Sequence, residues 1–315
     1  MAYLVGILVL PRYAHRFSPH KFTQSQLFAC LVLKEFLQLD YRKLAALLKD
    51  APEMAGTVHL EVIPHFTTFQ KAAARLLVSR PARRLLDQTV QLAVDFKCLK
   101  QPVDLAALDG TGLESHHASS YYVRRREKTE KQAKKRVYHR FPKAGILCDC
   151  ASHIILAVVP GRGPGPDILH FRQALDQARA RVRIKAMAAD AGYDSEASHS
   201  YARNECGVRT LIPPLIGRPT SKPPSGYWRR QMAARLHTTR YGQRWQAETV
   251  NSMLKRLLGA ALRARTYWSQ CREITLRALT LNLMIVALIE LFYRAESISF
   301  RCATRISSRG AMMTT

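Results

Sequence analysis

The chain has 315 residues, of which 47% are hydrophobic, so it can bury a substantial core and is not a disordered protein. Its 49 Lys and Arg against 23 Asp and Glu give a net charge of +26. A globular protein this basic usually binds a polyanion, because each phosphate contact releases condensed counterions. Charge alone would also fit a ribosomal or membrane-surface protein.

Residues 1–100 are predicted to form a helical region. Thr23 with Gln26, and Thr67 with Gln70, have the spacing of capping boxes, and an apolar run follows the first pair. These short helices carry basic residues and fit a DNA-binding module of the helix-turn-helix kind. A plain helical bundle packed on the rest of the chain fits these residues as well.

From residue 101 the pattern changes to alternating strands and helices. An apolar strand ends at Asp109, a hairpin is predicted over 144–161, and a Gly/Pro-rich turn at 161–167 leads into an amphipathic helix. Another strand ends at Asp190. A helix, a short strand, an exposed loop over 213–240 and a helix from Thr239 to Leu258 are predicted to follow, in that order.

This order predicts an α/β fold, a mixed sheet flanked by helices over residues 101–295. A basic C-terminal tail, 296–315, would follow. The apolar stretch 278–292 is short for a membrane span, which needs about 20 residues, so we expect a buried core helix. Seven cysteines without paired C-x-x-C spacing predict reduced thiols, make a zinc site improbable and favour an intracellular protein.

Two aspartates follow predicted strands, Asp109 directly before Gly110 and Asp190 two residues before Gly192. Strand ends are where sites are built in such sheets. Two-metal phosphoryl chemistry needs converging carboxylates, and hard oxygen ligands suit Mg²⁺ or Mn²⁺. Taken singly, however, an Asp before a Gly is ordinary turn chemistry.

Glu248 is the only Asp or Glu in the 67 residues from Cys206 to Arg272. If the segment is helical, Tyr241, Arg244, Glu248 and Lys255 share one face, because their spacings are three, four and seven. Such a face would suit metal binding by the Glu and phosphate contact by the cations. The simpler alternative is a helix ion pair between Arg244 and Glu248.

A dense basic tract lies between the first strand and the hairpin. Residues 124–143 hold ten Lys or Arg and two Glu, which favours a track for duplex DNA over a solvated charged loop. The positions expected to contact DNA here are Arg124, Arg125, Arg126, Lys134 and Lys135. His116 and His117, which follow the first aspartate, are assigned no role.

The string Tyr-x2-Arg-x3-Glu-x6-Lys at 241–255 resembles the YREK signature of insertion-sequence DDE transposases. The segments LDGTG around Asp109 and ADAGYDS around Asp190 resemble the two Asp blocks of the same family, over roughly residues 25–290. The second block departs from the Asp-x-Gly-x-x-Tyr/Phe form of some members. The roles of Tyr193 and Asp194 therefore stay open, with Asp194 ranked below Asp190 as a ligand.

This resemblance implies an RNase H-like catalytic domain with Asp109, Asp190 and Glu248 as catalytic metal ligands, and two Mg²⁺ or Mn²⁺ ions as cofactor. It implies metal-dependent cleavage at transposon ends and transfer of the 3′-OH into target DNA. Tyr241, Arg244 and Lys255 would contact that DNA. The resemblance further implies a cytoplasmic, nucleoid-associated prokaryotic protein, dimeric on paired DNA ends and without a membrane partner. A nuclease of the same fold, or a domesticated DNA-binding protein without transposition activity, are the alternatives.

Overall fold

The computed structural model describes residues 1–115, 140–215 and 223–310, with side chains as far as Leu291 except that of Thr238. The N-terminal region is helical, as predicted. Its helices are α1 (Ala2–Val9), α2 (Gln24–Phe36), α3 (Tyr41–Asp50), α4 (Pro52–Gly56), α5 (Phe66–Leu76) and α6 (Ser79–Asp95).

Only one of the two predicted capping boxes forms. Thr23 Oγ1 accepts a hydrogen bond from the Gln26 amide, and Gln26 Oε1 accepts one from the Thr23 amide, which caps α2. The box at Thr67 and Gln70 is wrong, because α5 already begins at Phe66 and the Thr67 hydroxyl contacts His65 Nδ1 instead.

The part of the chain after residue 100 is built on a five-stranded mixed sheet. In chain order its strands are β1 (Ala106–Gly112), β3 (Phe141–Asp149), β4 (Ile155–Gly163), β5 (Ala186–Ala189) and β6 (Arg209–Leu211), and a short β2 (Glu114–Ser115) pairs separately with β7 (Ala261–Leu262). The order across the sheet is β4-β3-β1-β5-β6. The β3–β4 hairpin is antiparallel to β1, whereas β5 and β6 are parallel to it. The predicted α/β fold is confirmed and is consistent with an RNase H-like fold.

Helices cover both faces of this sheet. Besides the N-terminal helices, they are α7 (Phe171–Arg179), α8 (Glu196–Ser200), α9 (Tyr227–Arg235), α10 (Trp245–Leu258) and α11 (Tyr267–Gly310). Along β1, Ala107 belongs to the core shared with α10, α11 and the N-terminal helices, whereas Leu108 belongs to the core that contains Phe171 of α7. Because side chains alternate along a strand, Asp109 points to the α10 face and Gly110 lies over the α7 face.

Two helix boundaries differ from the sequence prediction. The predicted loop over 213–240 contains α9, whose first backbone amides, those of Trp228 and Arg229, donate to the Glu196 carboxylate. That capping acid is 32 residues away from Trp228, so the sequence around α9 carries no signal of it. The predicted helix from Thr239 also begins later, at Trp245, since Arg240–Arg244 form a 3₁₀ turn that contains Gly242, a poor helix former.

Helix α11 is the predicted core helix. Leu276, Leu279 and Leu281 are buried, although by length and composition alone the segment Tyr267–Leu291 would also pass as a membrane span. Its buried Arg277 donates to the carboxylates of Glu35 and Glu273, which ties α2 of the N-terminal region to α11. The cysteines with described side chains are free, as predicted.

Candidate functional site

The sheet brings Asp109 and Asp190 together. Parallel strands β1 and β5 are in register up to the pair Leu108 and Ala189, and the two aspartates are the next residue on each strand. Neighbouring strands lie about 4.8 Å apart, so the two carboxylates meet at one edge of the sheet. Their charges interact, since Asp190 helps to raise the pKa of Asp109. The backbone register therefore places these two residues side by side.

Asp109 is half-buried and held by α10. Asn251 Nδ2 donates to Asp109 Oδ2 at 2.8 Å. Burial, and after it the charge of Asp190, raises the pKa of Asp109, while the Gly110 amide, the Arg244 guanidinium and the Asn251 hydrogen bond oppose that shift. A partly buried carboxylate beside a second carboxylate is a setting in which a bound cation is stabilised.

Asp190 caps the turn that follows β5. Its Oδ1 accepts from the Gly192 amide at 2.7 Å, so turn chemistry and a functional role coexist in this residue. The alternative ligand Asp194 is engaged elsewhere, because its fully buried carboxylate pairs with Arg229 and lies 3.4 Å from His199 Nε2. The structure thus supports the ranking of Asp190 above Asp194.

Glu248 lies in the first turn of α10, and its side chain is 55% exposed. Its Oε1 accepts from Arg244 Nη2 at 2.5 Å, so the ion pair considered as the simpler alternative is formed. Tyr241 and Arg244 lie on the preceding 3₁₀ turn, and the single helical face predicted for the four residues is wrong in that detail. The charges of Asp190, Arg244 and Glu248 nevertheless all act on the Tyr241 phenol, whose pKa is raised mainly by burial.

The remaining predicted contacts divide into two sets. Lys255 is half-buried on α10, and no hydrogen bond or ion pair joins it to another described residue. The other set lies outside the described residues, together with His116 and His117. Its members are Arg124, Arg125, Arg126, Lys134 and Lys135.

The donor atoms around the two aspartates are oxygens. Across the described part of the chain, no three His, Cys, Asp or Glu side chains are grouped closely enough to hold an ion, and Glu248 pairs with Arg244. Asp109 and Asp190 supply carboxylate oxygens, and the buried Asn251 Oδ1 beside them has no hydrogen-bond partner in the described structure. An all-oxygen set with one unsatisfied oxygen fits Mg²⁺ or Mn²⁺.

Two residues at this site escaped the sequence analysis. Asn251 follows Glu248 by three residues, so the helical spacing already placed it on the same side of α10. Asp167 was assigned to a turn, yet its carboxylate lies under Gly110 on the α7 face of the sheet. No local signal could have shown that contact, because it depends on how the turn folds back over the sheet.

Comparison with known proteins finds a family match over the region that contains the site. The transposase DDE domain model matches residues 101–283, which is more than half of the chain and includes both aspartates and Glu248. No curated protein matches the chain. With strand-end carboxylates on an RNase H-like sheet and this match over most of the catalytic part, the chain belongs to the transposase DDE domain family.

Proposed function

We propose that the protein is an insertion-sequence DNA transposase of the YREK type, with Asp109, Asp190 and Glu248 as its catalytic carboxylates. The observation that carries the proposal is the placement of Asp109 and Asp190 at neighbouring ends of parallel strands, in a chain of this family. The spacing of Tyr241, Arg244, Glu248 and Lys255 supports the finer assignment.

The proposed reaction is hydrolysis of a phosphodiester at the transposon end, followed by in-line attack of the freed 3′-OH on target DNA. Bound divalent ions, two in this proposal, would activate the attacking oxygen and stabilise the leaving oxygen. Asp109, Asp190 and Glu248 would hold them, and Asn251 orients Asp109 by its hydrogen bond. Arg244 keeps Glu248 beside the site when no ion competes for that carboxylate.

The chain's own cations would hold the DNA. Lys255 is available for a backbone phosphate near the cut, and Tyr241 and Arg244 lie beside the carboxylates where the scissile strand would pass. The tract 124–143 is proposed to follow the duplex because of its charge. The same proposal includes a dimer on paired ends and a cytoplasmic, nucleoid-associated location.

The test uses the full chain, a labelled duplex carrying the transposon end, and target DNA in Mg²⁺ or Mn²⁺. The wild type should cleave the end and yield strand-transfer products. Glu248→Gln should abolish both reactions and leave DNA binding in a gel-shift assay intact. A matched control is Glu196→Gln, whose carboxylate accepts hydrogen bonds from the backbone amides that begin α9. Metal-dependent cleavage that survives in Glu248→Gln would contradict the assignment.

The same experiment separates the two competing functions. Cleavage without strand transfer would identify a nuclease that shares the carboxylates. Binding of the end without cleavage by the wild type would identify a domesticated DNA-binding protein. The DNA that flanks the gene offers an independent check, because inverted repeats close to both ends are expected for a transposase.

A further inference from the structure

Two paired glycines, Gly110 and Gly145, lie on the α7 face of the sheet, directly behind the two aspartates. Gly110 of β1 is paired in register with Gly145 of β3. A Cβ on Gly110 would lie 2.1 Å from Asp167 Oδ1, and one on Gly145 would lie 2.6 Å from the Cβ of His170. Both contacts are impossible for real side chains, so these strands carry glycine in order to admit the turn Asp167–His170 against the sheet.

The polar atoms that this turn brings in are buried but poorly satisfied. Asp167 Oδ1, His170 Nδ1 and Tyr193 Oη have no hydrogen-bond partner within the described structure. Lys143 Nζ lies 2.7 Å from Asp167 Oδ1 without hydrogen-bond geometry, and it donates to the Gly165 carbonyl at 2.8 Å. Leaving buried polar atoms such as His170 Nδ1 and Tyr193 Oη without hydrogen-bond partners costs stability, whereas Asp167 keeps its ion pair with Lys143.

The cluster touches the backbone behind both aspartates. Asp167 packs on Gly110, the residue after Asp109. The turn Asp167–His170 contacts the turn Ala191–Tyr193, which Asp190 caps. After burial, the charges of Asp167, Asp109 and Asp190, in that order, raise the pKa of Tyr193, so the phenol lies among the three carboxylates. The turn Asp167–His170 thus touches the backbone beside both aspartates from the face opposite α10.

We propose that Asp167, held by Lys143, is a positioning residue that sets the separation of Asp109 and Asp190 and thereby the affinity of the site for divalent metal. The inference rests on the proposed function, because the ligand in question is the ion that those carboxylates would hold. Asp167 acts through Gly110 and the turn of Tyr193, and it does not touch the ion or the DNA. Outer residues of this kind typically change metal affinity by about 10- to 100-fold.

The test measures Mn²⁺ binding to the full chain without DNA, from the electron paramagnetic resonance signal of free Mn²⁺. Asp167→Asn keeps the size of the side chain and should raise the Kd for Mn²⁺ by about 10- to 100-fold. The matched control is Asp104→Asn, which breaks another Asp–Lys contact of 2.7 Å, with Lys185, at the opposite end of β1 and β5. That control should bind Mn²⁺ as the wild type does.

Stability is measured on the same samples by metal-free thermal unfolding. A merely structural role for Asp167 would lower the melting temperature and leave the Kd of the folded protein unchanged, and that result would overturn the inference. If Asp167→Asn fails to fold, Lys143→Met removes the cation that holds Asp167, and it should weaken Mn²⁺ binding in the same direction. An unchanged Kd in the folded Lys143→Met variant would then overturn the inference.

Mn²⁺ binding by the Asp109→Asn variant distinguishes failure of this inference from failure of the proposed function. Should Asp109→Asn bind Mn²⁺ as the wild type does, the metal site itself is wrong and the proposed function fails with it. Should Asp109→Asn lose binding while Asp167→Asn keeps it, the proposed function stands and only the positioning role is refuted.

Discussion

The candidate site has two sides: a strand side, formed by Asp109 and Asp190, and a helix side, formed by Glu248 on α10. The two sides are held in different ways. Asp109 and Asp190 lie side by side in the register of β1 and β5, and their side chains accept hydrogen bonds from Asn251 and from the Gly192 amide. Glu248 extends from the surface of α10, is 55% exposed and is held, among the described residues, by its ion pair with Arg244. The strand acids start from paired backbone positions, whereas the helix acid depends on this one side-chain contact, so a ligand should reorganise the helix side more easily.

The largest expected effect comes from replacing an aspartate of the strand side by the longer glutamate. Asp190→Glu should lower metal-dependent cleavage by about 10³-fold, because a misplaced carboxylate forfeits several kcal/mol of charge stabilisation and each 1.36 kcal/mol is a factor of ten. Glu248→Asp should lose measurably less, since the exposed helix side chain can adjust. Single-turnover cleavage rates of the two variants give the comparison, and equal losses would show that the helix side is as rigid as the strand side.

Asn251 links the two sides, since it lies on α10 and donates to Asp109. Asn251→Leu keeps the approximate size and removes the hydrogen bond, and should reduce cleavage by about 10- to 100-fold. Asn204→Leu is a suitable control, because Asn204 is exposed and bonds only Ser200 in the described structure. If both variants cleave like the wild type, Asp109 does not depend on α10 for its orientation.

The difference between the two sides also explains what the sequence could predict. Asp190 directly follows β5, as predicted, whereas β1 continues past Asp109 to Gly112, so the predicted strand end at Asp109 is wrong. Parallel pairing of the two strands was nevertheless enough to place the two aspartates side by side. The orientation of Glu248 was not accessible, because it depends on a side-chain pair and on where a 3₁₀ turn becomes a helix.

The contact of Asp167 and the start of α9 could not be predicted from the sequence, for a related reason. The contact of Asp167 with Gly110 spans 57 positions, and the cap of Trp228 by Glu196 spans 32. Neither contact leaves a periodic pattern or a local motif. Contacts between turns that are distant in sequence are determined by the completed fold, and helix or strand periodicity does not predict them.

Arg244 tests whether the helix side depends on its ion pair. Arg244→Gln should lower the free energy of unfolding by only about 0.3–0.5 kcal/mol, the usual value of an exposed pair four residues apart. Cleavage should fall further, by roughly tenfold, which corresponds to about 1.5 kcal/mol for a hydrogen bond to a charged group. Chemical denaturation and cleavage assays on one preparation give both values. If the lost cleavage rate, converted to free energy, is no larger than the loss in the free energy of unfolding, Arg244 acts only as a surface contact.

The smallest expected effect is on metal-free stability, and it again separates the two sides. Because burial raises the pKa of Asp109 above its value in the unfolded chain, the ionised carboxylate is disfavoured in the fold. The folded state therefore binds the proton more tightly, and stability contributed by that protonation is present at low pH and is lost as the pH rises through the folded pKa.

Asp109→Asn should consequently raise the melting temperature of the metal-free protein at neutral pH, with a gain that shrinks as the pH is lowered towards the ordinary range of aspartate. Glu248→Gln should show no such gain, because Glu248 is exposed and already paired with Arg244. Thermal unfolding from neutral to acidic pH, with a chelator present, measures both variants. A gain in Asp109→Asn would mean that the site gives up stability to keep a carboxylate there, as expected of a group maintained for binding a cation.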